Sequence, residues 1–405
     1  MYRAGLSLTA GGNRPETRTE EHMSAESTPE PGIPGEAGTR DEHDGSGRHR
    51  AEGRRRKSRA RGKGLLIAAW TAAGVVALGG TGAGYLYFKL NGNIKSVDID
   101  QALGTERPTK VDNGSENILV LGSDTRSGTN KKLGGGTDDG TARSDTAMIV
   151  HVYEGHQKAG VVSIPRDTLI DRPECTDSRG TTHDAARDVM FNSAYTTGGA
   201  ACAVKTVESM TGVRMDHYLE VDFAGFQKLI DELGGVEVTT TKDIDDPDSH
   251  LRLKAGTHWL SGEQALGLVR TRHGVGDGSD LGRIQLQQAF VKALVEQVKQ
   301  VGVLTGGGTA LYDLADTATK AVTTDSDLGS LNALMSFASG LKGISASDMT
   351  MVTMPVRYDP ADPNRVLVER AKAQLVWNAL KNDKPIPKAA TTGTATGEAD
   401  GVVTS

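Results

Sequence analysis

Three short apolar runs between Asn117 and Ile164 do most to restrict what this chain can fold into. Asn117-Ile118-Leu119-Val120-Leu121-Gly122 is followed, past a glycine-rich stretch, by Ala147 to Val152 and then by Gly160-Val161-Val162-Ser163-Ile164. Each run is five or six residues long, rich in branched residues and bounded by polar or turn residues. That pattern predicts buried strands rather than helical turns. Only Glu154-Gly155-His156 and its neighbours separate the last two, so they predict a hairpin. Charges stand only where the runs break, at Asp124, Arg143, Asp145, Arg166 and Asp167. Such strand edges are where a buried sheet presents its working groups.

The chain has 405 residues, and its ends do not look like folded material. Residues 1–63 hold Pro, Gly, Ser, Thr, Glu and Arg with almost no branched or aromatic residues, which predicts a disordered cytoplasmic segment. The tail 386–405, rich in Thr, Ala and Gly, reads as disordered too. From Gly64 to Phe88 lie 25 residues without a charge, enough for a transmembrane helix. Positions 48–63 hold nine Arg or Lys and one acid, and positive charge of that kind stays in the cytoplasm. The chain therefore predicts a single-pass protein of the cell membrane, amino terminus inside and folded part extracellular. Residues 89–115 read as a polar linker and 116–385 as the outer domain. The basic run Arg54-Arg55-Arg56-Lys57-Ser58-Arg59 is accounted for by topology; nucleic acid as a partner would require a folded basic surface as well. Of the net charge of −6, residues 1–63 carry +3 and 64–88 none, leaving −9 on 89–405. An acidic outer part attracts no polyanion by its overall field, so an anion needs a local arginine cluster.

Cys175 and Cys202 are the two cysteines, both in the outer part. Outside a membrane such a pair predicts a disulfide, with two buried thiols as the alternative. Beyond Leu169–His183, read as loop, the pattern predicts a helix through Met210 closed by Gly212 and a strand at Tyr218–Val221. A helix over Phe223–Leu233 and a strand at Val236–Val238 come next. A helix capped by Ser261 runs to Arg270, and a long one spans Leu281 to Gln300. Further helices fall at 307–322 and 328–341, a strand at Met349–Pro355 and a closing helix over Val366–Leu380. This alternation predicts a layered α/β/α domain with a central mixed sheet.

The sequence has no Gly-x-Ser-x-Gly elbow, no His-Glu-x-x-His pair and no Cys/His metal set. It does place Arg143, Arg166, Arg270, Arg272 and Arg283 beside turns and aspartates. Guanidinium groups hold phosphate through paired, charge-assisted hydrogen bonds, and a converging set suits a diphosphate. Arg283 and Gln287, four apart, share one helix face. Asp124 and Asp145 offer the oxygen ligands that Mg²⁺ prefers. Surface ion pairs, Arg143–Asp145 or Arg166–Asp167, are the alternative reading of the same residues.

These motifs resemble those of the LytR-CpsA-Psr family. The resemblance runs through Gly122-Ser123-Asp124, Arg143-Ser144-Asp145-Thr146 and Ser163-Ile164-Pro165-Arg166-Asp167-Thr168. It continues in Asn192-Ser193-Ala194-Tyr195, Leu260 to Leu266, Arg270-Thr271-Arg272 and Asp280-Leu281-Gly282-Arg283. It implies a phosphotransferase that moves a glycopolymer from a polyprenyl-diphosphate carrier to peptidoglycan. Asp124 and Asp145 would then bind Mg²⁺ (or Mn²⁺), and Arg143, Arg166, Arg270, Arg272, Arg283 and Gln287 would hold the diphosphate. Asp167 would orient arginines or support the metal, and Asp124 or Asp145 would take the acceptor proton. The lipid tail would lie between sheet and helices, with the apolar faces of Phe223–Leu233 and Ile284–Val298 as its walls or as plain core. A non-catalytic binder of wall precursors and a polyprenyl-diphosphate hydrolase are the competing functions.

Overall fold

The apolar runs fold into neighbouring strands of one sheet. The computed structural model describes residues 81–125, 142–273, 275, 278–301, 309–395 and 401–404. The segment expected to be disordered, 1–63, and residues 64–80 of the expected membrane helix lie outside the described residues. Residues 81–93 are helical, and among the described residues no helix is long and apolar enough to cross a membrane.

The central sheet holds β1 (Lys95–Val97), β2 (Glu116–Thr125), β3 (Ala142–Val152), β4 (Ala159–Ser163), β5 (His217–Asp222), β6 (Val322–Asp325) and β7 (Met349–Thr353). Their order in space is β1-β6-β5-β2-β3-β4-β7. The β2–β3 and β3–β4 pairs are antiparallel, whereas β2 with β5 and β4 with β7 run parallel. The sheet is therefore mixed, as the sequence predicts. After the short helix Ile99–Leu103, the helices of the domain among the described residues are α1 (Asn192–Thr211), α2 (Phe223–Glu232), α3 (Gly262–Arg270), α4 (Asp280–Gln300), α5 (Thr309–Ala321), α6 (Leu331–Leu341) and α7 (Arg370–Lys381).

Strand alternation sorts the core. Leu119, Leu121 and Ile149 pack with Val204 and Val207 of α1 and with Val376 and Trp377 of α7. Their strand neighbours Ile118, Val120 and Val150 join Phe337 and Leu341 of α6 in another cluster. The two clusters draw on alternate residues of the strands, so helices cover both faces of the sheet. Burying one such side chain contributes about 1.5–3 kcal/mol. A further cluster joins Ile230 of α2, Leu268 of α3 and Phe290 of α4 to Val236, Val238 and Leu260. Phe226 and Leu294 pack against it, and Ile284 belongs to the first cluster, so these apolar faces serve as core.

Four expectations need correction. The segment 89–115 is not a free linker: β1 pairs with β6, Ile99 and Leu103 are buried, and Arg107 pairs with Glu208 at 2.7 Å. Polar composition hid three apolar anchors there, Ile99 and Leu103 in the core and Val97 packed against it. The stretch read as loop holds the strand Thr168–Arg172 and a small antiparallel pair, Cys175–Thr176 with Thr182–His183. The closing helix starts only at Arg370, because Val366–Val368 pairs parallel with Thr168–Arg172. The tail is not wholly disordered. Ala390, Val402 and Val403 are buried, and Thr404 and Val403 pair with Thr239 and Thr240. Two consecutive valines suffice to complete a sheet edge that Thr- and Gly-rich flanks conceal.

Candidate active site

The bulge between β2 and β3 sets the site. Gly122 pairs with Thr146 and Ser123 with Ser144, so Asp145 has no residue opposite it. A bulge of this kind bends its strand and re-aims the extra side chain. Ser144 supports it by donating to the Thr146 carbonyl at 2.9 Å. Asp124 lies just beyond the bulge on β2, opposite Arg143, and is only 3% exposed. The Arg143 side chain lies outside the described residues.

The Pro165–Asp167 turn brings in the next group. The Thr168 hydroxyl donates to the Pro165 carbonyl at 2.7 Å and closes the turn. The Arg166 guanidinium donates to the Asp145 carboxylate, while its Nε lies 3.6 Å from Asp167 and 3.8 Å from Asp280. The Arg166 backbone N–H donates to Asp280 Oδ2 at 3.2 Å, tying the turn to the start of α4. Ser279 caps that helix, accepting from the Gly282 N–H at 3.3 Å. Arg283, one turn in, donates to the Asp145 carbonyl at 3.0 Å and also to the Asp280 carboxylate. The Nε atoms of Arg166 and Arg283 are buried without a hydrogen-bond partner among the described residues.

Arg270 and Arg272 arrive from the other side. Ser261 and Gln264 form a reciprocal cap at the start of α3, and Arg270 ends the helix with its guanidinium over the Phe223 ring at 5.2 Å. Asp246, almost fully buried, accepts from the Arg272 N–H at 2.8 Å and from the His273 N–H at 3.0 Å. Asp145, Asp246, Asp248, Arg270, Arg272 and Arg283 line one cleft. Arg166, Asp167 and Arg272 line a second.

The predicted residues thus separate into groups. Asp145, Arg270, Arg272 and Arg283 meet in one cleft; Arg166 reaches it through its bond to Asp145. Asp124 is not among the cleft lining. Gln287 faces inward, its amide donating to Thr146 Oγ1 at 2.9 Å and the Val269 carbonyl at 3.0 Å, so it braces α4 against β3 and α3. Asp246 and Asp280 carry weight that residue type and spacing did not reveal. Asp280 follows a serine in a loop-to-helix junction like many capping-turn acids, and Asp246 is one of several acids in Asp243–Asp248. Carboxylate and imidazole atoms of Asp246, Asp248 and His273 lie within 4.8 Å of one another, with Asp248 and His273 exposed at the rim.

The charges set the proton affinities. Burial pushes the Asp145 carboxyl up, but Arg166, Arg283 and Arg270 outweigh it and hold it below the usual carboxylate range. Asp167 goes the other way, raised by burial and by the Asp280 carboxylate despite Arg166. Burial disfavours the Arg166 cation, yet Asp145, Asp280 and Asp167 raise its affinity for the proton. Such a cluster of ionised groups is what a phosphate anion can enter by exchanging partners. The predicted disulfide is present as well: Cys175 and Cys202 are bridged, with Cα atoms 5.3 Å apart. A Cβ at Gly198 would overlap the Cys202 sulfur, so glycine at the kink in α1 leaves the bridge its room.

Residues 86–382 match the model of the LytR_cpsA_psr family. The polyisoprenyl-teichoic acid–peptidoglycan teichoic acid transferase TagT of Bacillus subtilis (strain 168) is 30% identical over 341 residues, covering 82% of this chain and 97% of that protein. The cell wall biosynthesis protein LcpA of Corynebacterium glutamicum is 34% identical over 266 residues, 60% of this chain. The match spans 50% of the length of LcpA. Among solved structures, TagT bound to LI-WTA is similar with a TM-score of 0.51 at 25% identity, covering 71% of this chain and 98% of that one. The chain belongs to the LytR_cpsA_psr family.

Proposed function

We propose that this protein is a phosphotransferase that moves a glycopolymer from a polyprenyl-diphosphate carrier to peptidoglycan. The observation that carries the reading is the convergence of Arg270, Arg272 and Arg283 with Asp145 in one cleft, backed by Arg166. The similarity to TagT, whose name states a transfer of this class, supports it. Transfer of a phosphoryl-linked group depends on positioning and charge neutralisation more than on covalent help from the protein. Arg270 and Arg272 would grip the diphosphate from one side and Arg283 from the other. Arg166 would exchange part of its hold on Asp145 for a phosphate oxygen, and Gln287 would keep α4 in place.

We infer a hard-cation site at the edge of the cleft, with Asp145 in its lining and Asp124 outside it. Asp145 is held ionised by its arginines, and Asp124 sits just across the bulge, so both offer carboxylate oxygen. Mg²⁺ or Mn²⁺ bound there would neutralise charge that develops on the phosphate oxygens. The uncharged stretch 64–88, preceded by nine basic residues, supports a single membrane span with the catalytic domain outside, where the carrier's own diphosphate supplies the energy. The disulfide agrees with an oxidising compartment.

The test incubates the full chain in detergent with a polyprenyl-diphosphate glycan, peptidoglycan strands and Mg²⁺. Polyprenyl phosphate and a phosphodiester-linked product are expected, and a chelator should stop both. Release without acceptor would instead make the protein a hydrolase; tight binding without release would make it a binder.

A further inference from the structure

A second cleft, of about 600 Å³, opens beside Arg272 and is lined by Arg166, Asp167, Arg272, Tyr358, Asn364 and Arg365, among others. Its outer wall is a hairpin, Val356–Tyr358 paired antiparallel with Val366–Val368. Val366 pairs in parallel register with Thr168, and its N–H donates to the Asp167 carbonyl at 3.3 Å. That register carries the hairpin tip to the Arg166–Asp167 turn. The tip is itself held in shape. Asn364 N–H donates to the Asp362 carboxylate at 3.0 Å, and Arg365 N–H to the Asp362 carbonyl at 2.9 Å.

The lining suits a sugar. Tyr358 is 40% exposed, which leaves ring surface on which the apolar face of a pyranose can stack. Asn364, Arg365 and Asp167 supply planar donors and acceptors for hydroxyl and N-acetyl groups. Arg365 and Arg272 add positive charge that complements carboxylates on a peptide-bearing glycan. Arg166 links this cleft to the other, since its guanidinium touches Asp145 and approaches Asp167. A displacement at phosphorus needs room for an entering as well as a leaving oxygen, and the two clefts adjoin at Arg272, which lines both.

We propose that this second cleft is the acceptor subsite, holding an N-acetylated, carboxylate-bearing glycan strand with one sugar hydroxyl turned to the Asp167 carboxylate. The assignment rests on the transferase reading above. The hydroxyl oxygen forms the new bond to the phosphorus attached to the polymer, and its proton passes to Asp167. The bond from that phosphorus to the bridging oxygen breaks, and polyprenyl phosphate leaves with the electron pair.

The test uses the full chain in detergent and a soluble, lipid-free peptidoglycan glycan fragment. Calorimetry reads fragment binding directly, and transfer assays read KM for donor and acceptor separately. Tyr358→Ala and Asn364→Ala should weaken fragment binding and raise acceptor KM by roughly tenfold or more, with donor KM unchanged. Tyr358→Phe, which keeps the ring, should bind as the unaltered chain does. Equal fragment binding in the unaltered chain and both alanine variants overturns the subsite even if transfer proceeds. A rise in donor KM alone also overturns it and gives the cleft to the donor glycan. If the fragment binds and the variants lose it while the unaltered chain transfers nothing, the subsite stands and the transferase reading falls.

Discussion

The Asp246 carboxylate, almost fully buried, accepts the Arg272 backbone N–H at 2.8 Å and so fixes the direction in which a cleft arginine leaves α3. The same carboxylate accepts the N–H groups of His273 and Asp248, at 3.0 and 2.9 Å. One acid therefore shapes the chain on both sides of the cleft. Asp246→Ala leaves these donors without their acceptor, a loss of about 1–3 kcal/mol for a buried group. Donor affinity should fall as well, because Arg272 no longer has a fixed exit. Denaturant unfolding and donor titration on the same variant check both. A variant of unaltered stability and affinity would remove Asp246 from the site.

Arg283 and Arg270 should separate stability from transfer. Removing one preorganised cation from a phosphoryl-type transition state costs on the order of 10²–10³-fold in rate. Arg283→Ala should show that loss together with some destabilisation, since its guanidinium bonds the Asp145 carbonyl and the Asp280 carboxylate inside the fold. Arg270→Ala should show the loss with less effect on stability, because its side chain is only partly buried over Phe223. Arg→Lys at either position should not rescue fully, since an ammonium lacks the planar fork. Initial rates alongside melting curves give the comparison.

Much of this fold and site is legible in the sequence. The β2–β3–β4 order and the hairpin follow from short apolar runs, and the arginine set follows from a repeated placement beside turns. What stayed hidden depends on distance along the chain. Asp280 becomes important only when the Arg166 N–H reaches it across 114 positions, and nothing local distinguishes Asp246 from Asp243 or Asp245. Gln287 shows the converse. Its helical spacing from Arg283 is correct, yet Thr146 and Val269 take up its amide hydrogens. Sequence spacing places a residue on a face; it does not say what else competes for its hydrogen bonds.

The His217–Asp325 pair makes stability depend on pH. Burial lowers the His217 affinity for a proton, but the Asp325 hydrogen bond and charge reverse this and raise it above the ordinary value of 6.5. Burial raises the Asp325 carboxyl, but His217 and the N–H groups of Tyr218 and Leu328 hold it below 3.8. The imidazolium contribution is complete below 6.5 and fades as pH rises through the raised folded value. The carboxylate contribution is complete above 3.8 and fades as pH falls through the depressed one. The pair therefore stabilises most between these limits. The stability gap between the unaltered chain and Asp325→Asn should be wider at pH 5 than at pH 8, as read by denaturant unfolding. A gap independent of pH would show that the backbone bonds to Asp325 alone matter.

The disulfide should matter to the helix that carries it and less to the arginines. Cys175 and Cys202 are 27 positions apart, and closing a loop of that size contributes about 3–4 kcal/mol in the chain-entropy model. Cys202 lies in α1 beside the Gly198-Gly199 kink, and both cysteines are almost fully buried. Cys175→Ser with Cys202→Ser should lower the melting temperature clearly, and reductant should shift the unaltered chain the same way. Gly198→Ala adds a methyl group where the Cys202 sulfur sits, so it should destabilise the oxidised chain more than the serine double variant. That ordering separates a steric role for Gly198 from a mere preference for a bend, because the overlap eases only when the residue 202 side chain is no longer held in place by the disulfide.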